Sequence, residues 1–135
     1  MINCNSFISG LRLVACKGPA FSLGKEVCKY SLEQLSRTVA MFLSSLPPAQ
    51  HAHLLQELER IASWLAACPF EFIGSSILLS YDAHADARSL RVNLIDFGHV
   101  EPASGAPNAN NAGNVQGIRA LQRVVEQPPP AAALD

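Results

Sequence analysis

An α+β fold is predicted for this 135-residue chain, and three observations predict it. Helical periodicity fills the stretch after residue 30, strand patterns follow from residue 70, and a last helical stripe precedes a proline run. Hydrophobic residues make up 49% of the chain and charged residues 16%, which is enough apolar side chain for a packed core. The expected layout is a small antiparallel sheet packed on three helices. Its strands are one near Phe7 and a hairpin over residues 70–97.

Residues 7–16 read as a short strand with a break at Gly10. Lys17-Gly18-Pro19 reads as a turn, and residues 22–30 are polar, carrying Lys25 and Lys29. Ser31 and Gln34 form a capping box that opens a helix over residues 31–46. Leu32, Leu35, Val39, Phe42, Leu43 and Leu46 share its apolar face. Pro47-Pro48 ends that helix and opens another over residues 49–67. Leu54, Leu55, Leu58, Ile61, Trp64 and Leu65 form its stripe, while Glu57, Glu59 and Arg60 face water. The two helices are expected to pack as an antiparallel pair, so their stripes are core.

Residues 70–81 are rich in aromatic and branched side chains and read as a strand. Residues 82–89 form a polar connection, and residues 90–97 alternate Leu90, Val92 and Leu94 against Arg91 and Asn93. Residues 101–114, rich in Pro, Gly, Ala and Asn, read as a loop. Residues 115–126 return to a helix with Val115, Ile118, Leu121 and Val125 inward. The Pro/Ala-rich residues 127–135 are expected to be a disordered tail.

Several function classes lack support. The formal net charge is -1 and no basic stripe is visible, so nucleic acid is not an expected partner. No apolar run approaches the about 20 residues needed to span a bilayer. Cys4, Cys16, Cys28 and Cys68 form no C-x-x-C pair and lie near no histidine at zinc-ligand spacing. They are expected to be reduced thiols in a cytoplasmic or nuclear protein. His51 and His53 are two apart at a helix start, point in different directions and cannot share a metal. His84 falls in the polar connection.

The chemistry-bearing residues lie on the hairpin. Its second strand runs into Ile95-Asp96-Phe97-Gly98-His99, and its first carries Gly74-Ser75-Ser76. A carboxylate that leaves a buried strand before a glycine can hold a divalent ion against nucleotide phosphates, which a phosphoryl-transfer enzyme requires. A hydroxyl of Ser75 or Ser76 is expected within direct or water-bridged reach of Asp96, with Gly98 making the exit from the core possible. Asp96 could equally cap the following loop. His99 has two readings, a site residue beside Asp96 or an exposed loop residue.

Residues 72–82, F-I-G-S-S-I-L-L-S-Y-D, resemble the S-S-L-L strand of the inositol polyphosphate kinases, and V-N-L-I-D-F-G over residues 92–98 resembles their I-D-F-G strand. Ser9-Gly10-Leu11-Arg12, the basic segment with Lys25 and Lys29, Ser31-Leu32-Glu33-Gln34-Leu35, and Gly117-Ile118 with Leu121 resemble other family segments in the right order. The resemblance implies a fold distantly related to protein kinases, with ATP and Mg²⁺ as cofactors and an inositol phosphate as substrate. It implies Asp96 as metal ligand, and Ser75 and Ser76 beside it in the catalytic and nucleotide-binding cleft. Lys25 and Lys29 would lie near the inositol phosphate, or else be solvated surface lysines.

The departures are specific. The family's P-x-x-x-D-x-K-x-G motif is nowhere in these residues, nor are the lysine and hinge that hold ATP. Asn111-Ala112-Gly113-Asn114 stands where the family has an acidic residue and an aromatic before its closing helix, and Lys29-Tyr30 where it has an arginine. Residues 1–126 are therefore expected to be the C-terminal region of the kinase fold without its N-terminal lobe. Two functions remain: the metal-binding half of a kinase site, or a non-catalytic remnant that binds a protein or an inositol phosphate. In either case the face left by the missing lobe is expected to expose apolar surface and to favour self-association or a partner.

Overall fold

In the computed structural model the described residues are 2–3, 12–13, 16–18, 21–23, 26, 29–44, 46–81, 90–106 and 109–127. Eight strands and three helices occur among them, in the order β1 (Ile2–Asn3), β2 (Arg12–Leu13), β3 (Cys16–Gly18), β4 (Phe21–Leu23), α1 (Leu32–Ser44), α2 (Pro48–Ala67), β5 (Phe70–Phe72), β6 (Ser76–Ser80), β7 (Arg91–Ile95), β8 (Val100–Pro102) and α3 (Ala112–Glu126).

The capping box forms as its sequence requires. The Gln34 amide donates to Ser31 Oγ at 3.2 Å, and the Ser31 amide donates to Gln34 Oε1 at 2.9 Å. These bonds satisfy amides that the first turn of α1 cannot pair internally. Pro47 is extended and Pro48 is the first helical residue of α2, where a missing N–H costs nothing. The Leu43 carbonyl at the end of α1 accepts from the Leu46 amide and from His51 Nε2, both at 3.0 Å, so the first turns of α2 bond to the end of α1.

Leu35, Val39, Leu43 and Leu46 join Leu54, Leu58, Ile61 and Leu65 in one core with Ile118, Leu121 and Val125 of α3. Leu32 and Trp64 are about half exposed, so each lies off the stripe its spacing suggested. The expected α1–α2 pair is not the principal helix contact: α3 packs against both α2 and α1. The reason is the wide buried surface of α3. Small Gly117 and Ala120 and polar Asn114 and Gln122 are buried beside Ile118, Leu121 and Val125, so α3 meets neighbours on two sides.

The main sheet is antiparallel with strand order β2-β1-β6-β7. β6 and β7 are the predicted hairpin, with Ile77 opposite Leu94, and residues 82–89 between them lie outside the described residues. Between the hairpin and β2 stands β1, which the sequence did not suggest; most of the strand expected over residues 7–16 lies outside the described residues. Lys17 and Gly18 belong to β3, which pairs with β4 so that Gly18 stands opposite Phe21; Pro19, in the expected turn, lies outside the described residues. Residues 101–114 are not one loop: they contain most of β8 and the start of α3. The tail beyond Gln127 lies outside the described residues.

On the solvent side, Glu59 of α2 accepts hydrogen bonds from Arg119 and Gln122 of α3. The Arg119 bond, then the Gln122 bond, hold the Glu59 carboxyl below the usual glutamate range. A carboxyl with a depressed folded pKa contributes stability that is present above the unfolded pKa and lost as pH falls through the folded value. Both partners are about half exposed, so the contribution is small and salt-sensitive. Glu59→Gln should therefore be slightly less stable than wild type at neutral pH, and the gap should close in acid. Urea midpoints at both pH values check this, and a gap independent of pH would exclude the assigned role.

Candidate active site

The predicted strand over residues 70–81 is broken, and the break builds the site. β6 pairs with β7 so that Ser76 faces Ile95, whereas β5 pairs with β8 so that Phe72 faces Val100. Three residues, 73–75, thus stand against four, 96–99. The extra residue shifts the register by one, and a shift of one reverses which side chains face which side. The chain accommodates it with two left-handed residues, Gly74 at φ 76° and Asp96 at φ 71°. The β5–β8 ladder continues up to the break, where the Ile73 amide donates to the His99 carbonyl at 3.0 Å.

Asp96 follows the last residue of β7 and is exposed. Alternation from Val92 and Leu94 would send its carboxylate toward the core. Its own left-handed backbone turns it out instead, a conformation that Asp tolerates better than most residues. Gly98, expected to permit the exit, has no positive φ. A Cβ on it would meet Asp96 Oδ1 at an ordinary 3.8 Å.

The structure places the predicted residues unequally. Ser75 is 1% exposed and Ser76 is also buried, each on or beside the first residue of β6. The expected hydrogen bond from either serine to Asp96 is not formed: Ser75 Oγ is buried without a partner, and the outward turn at Asp96 carries its carboxylate away. Lys29 is exposed ahead of α1 and makes no ion pair with a described residue, while Lys25 lies outside them. His99 is exposed, its Nε2 3.0 Å from Glu101 Oε1. No cluster of three metal-ligating side chains occurs among the described residues.

Around this turn lies an aromatic chain. Trp64 stacks on Phe72 with ring centroids 5.7 Å apart, and Phe72 meets Phe97 edge to face at 5.3 Å. Trp64 and Phe97 are 52% and 51% exposed, and Phe70, Ile73 and Val100 are exposed beside them in sequence or across the ladder. An open cleft of about 230 Å³ runs between α2 and β7, lined by Arg60, Ile61, Trp64, Val92, Asn93, Leu94 and Phe97. Asp96 is not part of its lining.

Sequence reasoning missed the residues that hold β5. In a two-stranded ladder the outward groups of β5 need other partners. Asn111 supplies them: its Oδ1 accepts from the Phe72 amide at 2.9 Å, and its Nδ2 donates to the Phe70 and Leu65 carbonyls, both at 2.9 Å. Asn114 Nδ2 donates to the Phe72 carbonyl at 2.8 Å, and Asn110 Nδ2 to the Cys68 carbonyl at 2.8 Å. All three asparagines are buried. The one signal was the run of asparagines before a helix, which reads locally as capping or turn chemistry.

The inositol polyphosphate kinase family model matches residues 7–126. The chain belongs to the inositol polyphosphate kinase family. Its fold is similar to that of the inositol phosphate multikinase Ipk2 from S. cerevisiae, solved in complex with ADP and Mn²⁺, with a TM-score of 0.60 and 15% identity. The match covers 84% of this chain and 55% of the yeast chain, so the chain spans about half the length of that kinase. No curated protein sequence matches it. In the stretch 111–114, which carries neither the acid nor the aromatic expected of the family, Asn111 and Asn114 are buried hydrogen-bonding residues. Their loss of family character is therefore not loss of structure.

Gly74 tests the break directly. A Cβ there would meet nothing within 4 Å, so the cost of Gly74→Ala is that of a left-handed backbone alone. Chemical denaturation should show a loss of about 1–2 kcal/mol. An unchanged midpoint would mean that the register break is not held in this form.

Proposed function

We propose that this chain supplies the metal-binding half of an inositol phosphate kinase site, in which the γ-phosphoryl group of ATP passes to an inositol hydroxyl. One observation carries the reading. An exposed carboxylate without a hydrogen-bond partner among the described residues is held on a left-handed turn one residue past Ile95, which pairs across the ladder with Ser76. That donor set fits Mg²⁺, which takes one or two carboxylates from protein and fills its other positions with water and phosphate oxygens. Asp96 would hold the ion, and the ion supplies charge neutralisation on the nucleotide phosphates. Ser75 and Ser76, at the start of β6, would bond phosphate oxygens or ordered water, and Lys29 and Lys25 would face the anionic inositol phosphate. The ADP and Mn²⁺ of the yeast kinase support a nucleotide and a divalent ion as ligands of this fold.

The missing P-x-x-x-D-x-K-x-G motif favours a second reading for these residues by themselves, a binding module without turnover. Asp96→Asn separates the two. Asn also tolerates the left-handed region, so melting temperature should hardly move, with a stability change within about 0.5 kcal/mol. In the enzyme carrying the complete kinase fold, inositol trisphosphate turnover should fall at least about 100-fold, because the amide cannot hold Mg²⁺ against the phosphates. Near-normal turnover in a folded variant would remove Asp96 from the metal site.

The exposed aromatic face around Trp64, Phe70 and Phe97 is, in this reading, where the rest of the kinase fold packs. The chain spans only about half of the yeast kinase, and a patch this apolar is uncommon on a monomer. Alone at high concentration, the protein should self-associate through this face. Static light scattering should show a mass that rises with concentration, and Trp64→Glu should suppress the rise. A strictly monomeric wild-type chain would sink this assignment.

A further inference from the structure

The buried asparagines at the start of α3 do more than close a helix. Asn111 Oδ1 accepts from the amide of Phe72 while its Nδ2 donates to the carbonyl of Phe70, two residues back along β5. A neighbouring parallel strand would offer the same pair of bonds through the N–H and C=O of one residue. Asn114 then satisfies the carbonyl of Phe72. The side-chain amides thus act as a third strand on the outer edge of β5, and the same Asn111 Nδ2 reaches back to the Leu65 carbonyl at the end of α2. Asn111 itself is left-handed at φ 56°, a conformation that aims its side chain at backbone without the cost another residue would meet.

This edge has a consequence for Asp96. Nothing in the strand order pairs β5–β8 with the main sheet. Among the described residues, two short links, 73–75 and 96–99, join it to β6–β7, and the Ile73–His99 bond is the last rung of its own ladder. Asp96 sits in the longer link. The angle at which that link leaves β7 is therefore set from both ends, by β7 on the core and by β8, whose only strand partner among the described residues, β5, is fixed by Asn111.

We infer that Asn111 is a positioning residue for Asp96: its side-chain amide locks β5, hence β8, hence the turn that presents the carboxylate. The inference rests on the proposed role of Asp96 for its functional meaning, but its structural content stands without it. Asn110 provides a control. It makes a buried hydrogen bond of similar length to Cys68, one residue outside α2, and none to a described residue of β5.

The test uses the full 135-residue chain, two-dimensional amide NMR and MnCl₂ as the probe. Asn111→Ala should shift the Asp96, Phe97 and Gly98 amides and speed hydrogen exchange at Ile73, leaving the β6–β7 amides in place. Asn110→Ala should lower the melting temperature yet leave the turn unmoved. Should Asn111→Ala not fold, Asn111→Asp keeps the acceptor for Phe72 and removes both donated bonds, and should shift the same amides. Mn²⁺ broadening centred on Phe97 and Gly98 should need roughly tenfold more metal in the Asn111 variant, as when an outer-shell partner is lost, but not in the Asn110 variant. A folded Asn111 variant whose turn amides are unshifted overturns the inference, as does an Asn110 variant that shifts them equally. If the wild-type chain shows no Mn²⁺ broadening while Asn111→Ala still moves the turn, the metal role of Asp96 fails and the positioning by Asn111 stands.

Discussion

Two antiparallel ladders built from the same two chain segments, but differing by one residue in register, cannot run into each other. Here β5–β8 and β6–β7 are such ladders, and the mismatch falls at residues 73–75 against 96–99. The surplus residue has to leave the pleat, and it does so where Gly74 and Asp96 take left-handed backbone. Much of the site follows from that constraint. A regular hairpin would have carried Asp96 on the same side as Val92 and Leu94, an expensive place for a carboxylate. The break ends β7 at Ile95 and delivers the carboxylate to the surface without a change in the hydrophobic pattern of the strand.

A short two-stranded ladder is a weak thing on its own. The lower half of the hairpin survives because its outer edge is satisfied by α3 and not by water. Asn111 and Asn114 meet the outward groups of Phe70 and Phe72, and Asn110 meets Cys68 just past α2. Buried amide side chains serve well here, because each has both donors and an acceptor. The core of Leu54, Leu58, Leu65, Ile118 and Leu121 then locks α2 and α3 together, so the helix pair that forms most of the hydrophobic contact also carries the polar contact that holds the site.

The face turned away from that core is different in kind. Trp64, Phe72 and Phe97 form a run of touching rings, two of them half exposed, beside an open cleft whose lining mixes apolar side chains with Arg60 and Asn93. In the proposed reading, this is the surface that the rest of a kinase fold would cover. The span of the chain, about half of the yeast kinase, agrees with that view.

Local chemistry in the sequence determined a good deal. The capping box at Ser31, the proline entry of α2, the core stripes of Leu35, Leu54 and Leu121, and the pairing of Ile77 with Leu94 are short-range patterns, legible because each depends on neighbours within a few residues. The family was legible too, through two motifs facing each other across one hairpin. Only the tertiary structure decided the rest. Register depends on which segment lies opposite, so neither the split hairpin, the pairing of β5 with β8, nor the place of β1 could be read from one strand at a time. Trp64 lies on a helical stripe by spacing and outside the core in fact, because burial needs a partner that the stripe does not specify. Asn111 is the clearest case: its partners lie 39 to 46 residues away in sequence, so its role exists only once α3 has packed beside β5.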